Sequence, residues 1–184
     1  MSSSSPTPEP EKYSVKPNAH CPNSSFPILV YRGVLPNPLD EASTSEFLQR
    51  NQWEKKGTWG AITTKHFHPN THECYGIFQG SSELVLGEGG LDEGGGVRFT
   101  VGAGDVVVVP AGVAHASISS GGGYKYIGVY PRGSPKWRNE WGKREVGEGD
   151  PLFDEIKAVP VPECDPVWGR NGPLLKIWKG VSMQ

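Results

Sequence analysis

Little in this 184-residue chain ties it to a charged polymer, a membrane or an oxidising compartment. Neither sign of charge dominates, since 18 basic residues stand against 20 acidic ones for a net charge of −2, with no long run of either. Nucleic acid and anionic membrane surfaces are therefore not expected partners. No stretch is apolar enough to span a bilayer, and Met1–Glu11 lacks the basic-then-apolar pattern of a leader, so a cytoplasmic protein with reduced thiols is expected. The three cysteines, Cys21, Cys74 and Cys164, are odd in number and isolated, which argues against a disulfide framework and a thiolate zinc site. There is no second carboxylate pair and no activated-serine motif. Gly94–Gly96 and Gly121–Gly123 lack the preceding strand and following helix that a phosphate-cradling loop requires.

What is present fits one compact domain: 35% hydrophobic and 10% aromatic residues can fill a single core. Residues 1–25, rich in Ser, Pro and Asn, are expected to be a disordered or loosely packed tail. Ile28–Tyr31 reads as an edge strand, and Ser43-Thr44-Ser45-Glu46 as a capping box opening a short helix to about Arg50. From Gly57 short apolar stretches alternate with glycine. Strands are expected at 60–65, 73–79, 83–86, 97–101, 106–109, 114–119 and 124–130, an all-β sandwich or barrel over 26–130. The glycine-rich run 87–96 is expected to be a mobile, solvated hairpin loop. Residues 131–184 form a tail holding four of the six tryptophans. Ser134-Pro135 is expected to open a helix with Trp137 and Trp141 on one face, and Asp150-Pro151 another over 152–158. These tryptophans are read as pinning the tail to the outside of the barrel, with a lid over a pocket as the alternative.

The most informative residues are four potential metal ligands. His66 and His68 are two apart, so on a strand they share a face, and the turn formers Pro69 and Asn70 let Glu73 swing back beside them. His115 follows a buried strand and the tight turn Pro110-Ala111-Gly112. A buried Glu73 among imidazoles would be costly without a cation. By the same parity Tyr75 and Ile77 share the face of Glu73, Thr64 and Ile62 that of His66, and Ser117 and Ser119 that of His115. Thr64, Ser117 and Ser119 are therefore pocket-wall candidates. Tyr75 is singled out as a proton donor to substrate, against its commoner use as barrel filling. His72 is expected to orient a ligand rather than to be one, and His20 to be structural.

The spacing Gly60, His66, His68, Glu73, Gly80, followed by Gly104, Pro110, Gly112, His115, resembles the two motifs of the cupin family. One departure is Ser119, where the second motif usually has Asn. The resemblance runs from Ile28 to Tyr130, and the tail is similar to that of single-domain bacterial and fungal cupins. It implies a double-stranded β-helix, or jelly-roll, barrel with a short N-terminal helix and an irregular C-terminal tail carrying short helices. It also implies one divalent ion per chain, with Fe(II) favoured and Zn, Ni, Mn or Co as alternatives, and a homodimer. The implied activity is metal-dependent and dioxygenase-like, an oxidoreductase acting on a small oxygen-bearing organic molecule. A non-redox isomerase, cyclase or lyase, and a small-molecule-binding cupin without catalysis, are the alternatives. Fold alone does not choose among them.

Overall fold

The computed structural model describes residues 7–182. Seven strands, β1 (Glu11–Tyr13), β2 (Ile28–Tyr31), β3 (Trp53–Trp59), β4 (Glu73–Leu86), β5 (Val97–Gly102), β6 (Val106–Val109) and β7 (His115–Pro131), form an antiparallel jelly-roll barrel. Their order is β1-β2-β6-β4-β7-β3, with β5 also on β4. Three helices, α1 (Glu41–Gln49), α2 (Pro151–Lys157) and α3 (Pro173–Ser182), complete the described chain.

Strands β2 and β6, the unbroken apolar runs Ile-Leu-Val-Tyr and Val-Val-Val-Val, are buried on both faces. Ile28, Val30, Val107 and Val109 face inward with Tyr75, Ile77, Leu86 and Tyr126. Their alternates Leu29, Tyr31, Val106 and Val108 face a second apolar layer with Leu48 of α1 and Leu174 and Trp178 of α3. Strand parity thus assigns one face to the barrel interior and the other to the helices.

Strands expected as two pairs prove to be two long, bent ones. The first half of β4 pairs with β6 and the end of β7, its second half with β5 and the start of β7. The corner is Gly80, at φ +67°, where a Cβ would lie 2.4 Å from the Gly121 carbonyl. Only glycine turns the strand there. In sequence Gly80 and Gly121–Gly123 resemble loops, which is why the continuity was not expected. Residues 60–65 are not a strand, and β3, whose polar sequence WEKKGTW hid it, takes the place beside β7.

Helix α1 begins earlier than the capping box suggests. Asp40 is its N-cap, accepting from the Ser43 amide at 2.8 Å, so the Ser43-to-Glu46 stretch lies inside the helix.

The N-terminal tail departs most from expectation. Residues 1–6 lie outside the described residues, but from Glu11 the chain is docked: β1 pairs with β2, Val15 enters the core, and Cys21 is buried. Polar bonds do what apolar residues are too few to do. Asn23 donates to the Lys16 and Gly87 carbonyls at 2.7 and 3.0 Å and accepts from the Ala114 amide at 3.3 Å. The glycine-rich hairpin is likewise held, by Asn18 and His20 on one side and by the Trp141 and Gly142 carbonyls on the other, with Glu88 and Asp92 buried.

In the C-terminal tail α2 forms where Asp150-Pro151 predicts it. Residues 134–140 form no helix; they run extended along His66–Asn70, with the backbones of Phe67 and Glu140 bonded at 2.9 Å in both directions. The tail docks through Trp178, stacked on Phe26, and through Asp165. The fully buried Asp165 accepts from the Tyr31 hydroxyl at 2.5 Å and from the amides of Val167, Trp168 and Leu174. Asp165→Ala strips partners from several buried donors and is expected to cost roughly 3 kcal/mol, read as a lower urea midpoint. A loss below about 1 kcal/mol would show that the tail is held elsewhere.

Candidate metal centre

His66 and His115 face each other across an antiparallel bridge, each amide bonded to the other's carbonyl at 3.3 and 2.9 Å. Their rings are 4.4 Å apart, and the ring of His68, two residues along the same segment, is 5.3 Å from His66 and 5.4 Å from His115. One ligand-capable atom from each of the three lies within 4.8 Å of the others, and all three side chains are buried. Glu73, the first residue of β4, brings Oε2 to 3.0 Å from His68 Nε2 and 3.2 Å from His115 Nε2.

Backbone carbonyls fix which nitrogen is offered. His66 Nδ1–H donates to the Thr64 carbonyl at 2.8 Å, His115 Nδ1–H to Val113 at 2.9 Å and His68 Nδ1–H to Arg138 at 3.1 Å. Each ring is thereby oriented with Nε2 as its remaining ligand atom, the arrangement that metal-binding histidines require. The Nε2 atom of His115 is buried and has no hydrogen-bond partner, although a carboxylate oxygen lies 3.2 Å away. A lone pair facing an anionic oxygen is repulsive unless a cation stands between them. The residues therefore fit a metal ion: three buried histidines of this fold could bind one.

The electrostatics agree. Burial alone would raise the Glu73 carboxyl, but its contacts with His115 and His68 outweigh burial and hold it well below the usual carboxylate range. Burial, with His115 alongside, pushes His66 down to about 3. Burial also disfavours the proton on His68, yet Glu73 overrides it and leaves that imidazole above its ordinary value. Ionised Glu73 and neutral His66 are thus in the protonation state that carboxylate and imidazole ligands need, while at His68 an ion would have to displace a proton that Glu73 favours.

Tyr130 is a site residue the sequence reading missed. Its hydroxyl donates to Glu73 Oε1 at 2.8 Å, and burial together with the Glu73 charge pushes the phenol up, so it stays a donor. That bond leaves Oε2 for the imidazoles. The available signal was parity: Tyr130 shares the inward face of β7 with Tyr126.

The other expected residues divide. Thr64 serves through its carbonyl while its side chain is exposed. Ser117 lies inside the barrel beside Ser82, and Ser119 is exposed next to Glu83. Tyr75 sits behind His115, stacked on Tyr126 at 4.0 Å beside a void of only about 10 Å³. That space admits a water at most, so Tyr75 fills the barrel. His72 points away from the cluster. It accepts from the Ala111 amide, donates to the Pro160 carbonyl and packs on Trp178, with burial pushing it down to about 4. His20 pairs with Asp92, outside the site.

The open side is a cavity of about 290 Å³ above His66, His68 and Glu73, walled by Trp59, Ile62, Tyr130, Trp137, Asn139 and Trp141. Two of the tail tryptophans therefore belong to the site, and only Trp178 fits the pinning role. The extended 134–140 segment explains this, since lying along His66–Asn70 it supplies both the Arg138 carbonyl to His68 and the Trp137 indole to the wall, with Trp141 directly after it.

Elemental analysis is expected to give about one divalent ion per chain, lost in His68→Ala, His115→Ala and Glu73→Gln and retained in His20→Ala. Equal content in all would overturn the ligand assignment. Metal occupancy should decline as pH falls through the imidazole range, because protons compete for the ligand atoms. Tyr130→Phe should weaken metal affinity about tenfold without altering the fold, measured by competition with a chromogenic chelator.

Comparison with known proteins shows the family to which this fold belongs. The family model described as Cupin matches residues 54–129, which contain all four candidate ligands. YjlB of Bacillus subtilis strain 168, itself described as uncharacterized, is 31% identical over 171 residues, covering 92% of this chain and 97% of its own length. Among solved structures, RmlC from Streptococcus suis in complex with dTDP-D-xylose is 14% identical, covering 91% of this chain and 93% of its own, at a TM-score of 0.36. Oxalate decarboxylase from Lactobacillus farciminis, in a formate complex, is 16% identical over 50% of this chain and 34% of its own, at a TM-score of 0.32. Overlaps at those scores carry nothing about activity. The family match over the barrel, with a relative alike along nearly its whole length, places this chain in the cupin family.

Proposed function

We propose that this protein is a metal-dependent enzyme acting on a small oxygen-bearing organic molecule, dioxygenase-like and using Fe(II). The observation that carries the reading is the convergence of three carbonyl-oriented imidazoles and Glu73 beneath a cavity of about 290 Å³. His66, His68, His115 and Glu73 would hold the ion. Bound there, a divalent metal supplies Lewis acidity and, as iron, oxygen activation. The chain's own residues do the rest. Tyr130 keeps Glu73 in one orientation, the Thr64, Val113 and Arg138 carbonyls lock the imidazoles, and the indoles of Trp59, Trp137 and Trp141 thin the water over the site.

Tyr130 also favours a second reading. Its phenol, held protonated at the pocket wall by burial and the Glu73 charge, places a polar group beside a Lewis-acidic ion, which suits a non-redox isomerase, cyclase or lyase. The family resemblance supports a homodimer. Free, buried cysteines suit a cytoplasmic setting, and among the described residues no helix is long and apolar enough to cross a membrane.

The test is metal-stripped protein reloaded anaerobically with Fe(II) or Zn(II) and screened on phenolic, diketone and hydroxy-acid compounds, with oxygen uptake and substrate loss recorded. Oxygen uptake coupled to substrate loss in the iron form alone is the expected result. Turnover by the zinc form under nitrogen selects the non-redox reading, and a metabolite bound tightly but released unchanged by both forms overturns catalysis altogether.

A further inference from the structure

The cavity wall is more specific than a metal site needs. Trp137 stacks on Tyr130 at 5.0 Å and 12°, and Trp59 meets Trp137 edge-on at 6.0 Å and 84°. Trp141 stands over His66 at 5.9 Å with 44% of its surface exposed, a large apolar ring left partly in water at the mouth. The position of Trp59 is built into the backbone. Gly57 and Gly128 face each other across β3 and β7, and a Cβ at either would lie 2.5 or 2.1 Å from the Trp59 ring. Both have ordinary backbone angles, so what glycine provides here is room for the indole to lie against the sheet.

The charges around the wall matter as much. None of the lining residues is lysine or arginine. Arg138, from the segment that supplies the Trp137 indole, is clamped by both carboxylate oxygens of Glu155 at 2.7 and 2.8 Å, and Lys136 lies over the Trp137 ring at 5.9 Å without lining the cavity. A divalent ion held by neutral imidazoles and Glu73 would carry a formal charge near plus one. One anionic oxygen balances it, and a second would find no cation. Asn139 is the one neutral amide on the rim.

We infer that this cavity selects flat, aromatic ligands bearing a single anionic oxygen function, with the ring held by Trp59, Tyr130, Trp137 and Trp141 and the anion directed to the metal, over compact dianions and small aliphatic acids. The inference rests on the metal-site reading above and adds the chemical class of ligand to it. Stacking on aromatic walls recognises flat rings, and a cavity of this volume, at the small end of ligand pockets, fits one substituted ring. An organic cation, which an aromatic wall alone would accept, is opposed by the net positive charge of the loaded centre.

The experiment uses the full chain loaded with Zn(II), which is redox-silent, so that binding is read apart from turnover. Zinc content is measured first; failure to reach about one ion per chain would overturn the metal-site reading and this proposal with it. Benzoate, acetate, oxalate and benzyltrimethylammonium are then titrated by calorimetry, with tryptophan fluorescence as a second readout. Benzoate is expected to bind at least tenfold more tightly than acetate or oxalate. Trp137→Ala and Gly128→Ala should each remove most of that advantage while leaving zinc content and acetate affinity unchanged. With full zinc occupancy, oxalate or the cation binding as tightly as benzoate, or both variants weakening acetate and benzoate alike, would overturn the aromatic selection while leaving the metal site standing.

Discussion

The centre depends on one constraint: three imidazoles are tied at Nδ1 to main-chain carbonyls, so the backbone decides where each Nε2 points. Side chains alone could not do this, because an unrestrained imidazole can rotate and exchange tautomers. Two of the carbonyls come from two residues earlier in the same chain segment, Thr64 for His66 and Val113 for His115. The third is borrowed from Arg138, in a segment with no regular structure of its own. The antiparallel bridge between His66 and His115 then sets their separation as firmly as a strand pair sets any register. The placement of the three imidazoles is thus a property of the backbone.

That arrangement carries an electrostatic cost that a bound ion would relieve. Burying Glu73 opposes its charge, and burying His66 and His68 opposes theirs. The cluster lowers this cost by pairing Glu73 with His68 and with the Tyr130 hydroxyl, while His115 Nε2 stays without a partner. An unpartnered ring nitrogen 3.2 Å from a carboxylate oxygen is a feature that a bound cation would explain. It also explains the division of labour around Glu73, where one oxygen is fixed by a donor and the other faces the imidazoles.

Much of this was legible in sequence because the decisive spacings are local. His66, His68, Glu73 and His115 could be singled out from strand parity and two turns, and β2 and β6 from unbroken apolar runs. The illegible parts share one physical feature, satisfaction by partners distant in sequence. Nothing near Trp137 announces that its segment will run extended along His66–Asn70 rather than coil into a helix. Asn18, His20 and Asn23 look like tail residues until the glycine-rich hairpin supplies the carbonyls and carboxylate they bind. Tyr75 and Tyr130 both face inward, and only the shape of the barrel shows that one lies on its closed side and the other at its mouth. His72, the neighbour of Glu73, is drawn away by the Ala111 amide and the Pro160 carbonyl.

The borrowed Arg138 carbonyl bears on how the molecule is assembled. It lies 70 residues from His68, the Asn23 contact behind His115 spans 91, and the Tyr31–Asp165 bond that anchors the tail spans 134. Contacts so remote along the chain close only after most of the loop entropy has been spent. A nascent chain that has emerged as far as His115 carries every imidazole of the centre and neither Tyr130 nor the Arg138 carbonyl. Here, unlike in a small metal-nucleated domain, the ion would arrive at a finished building rather than serve as its scaffolding.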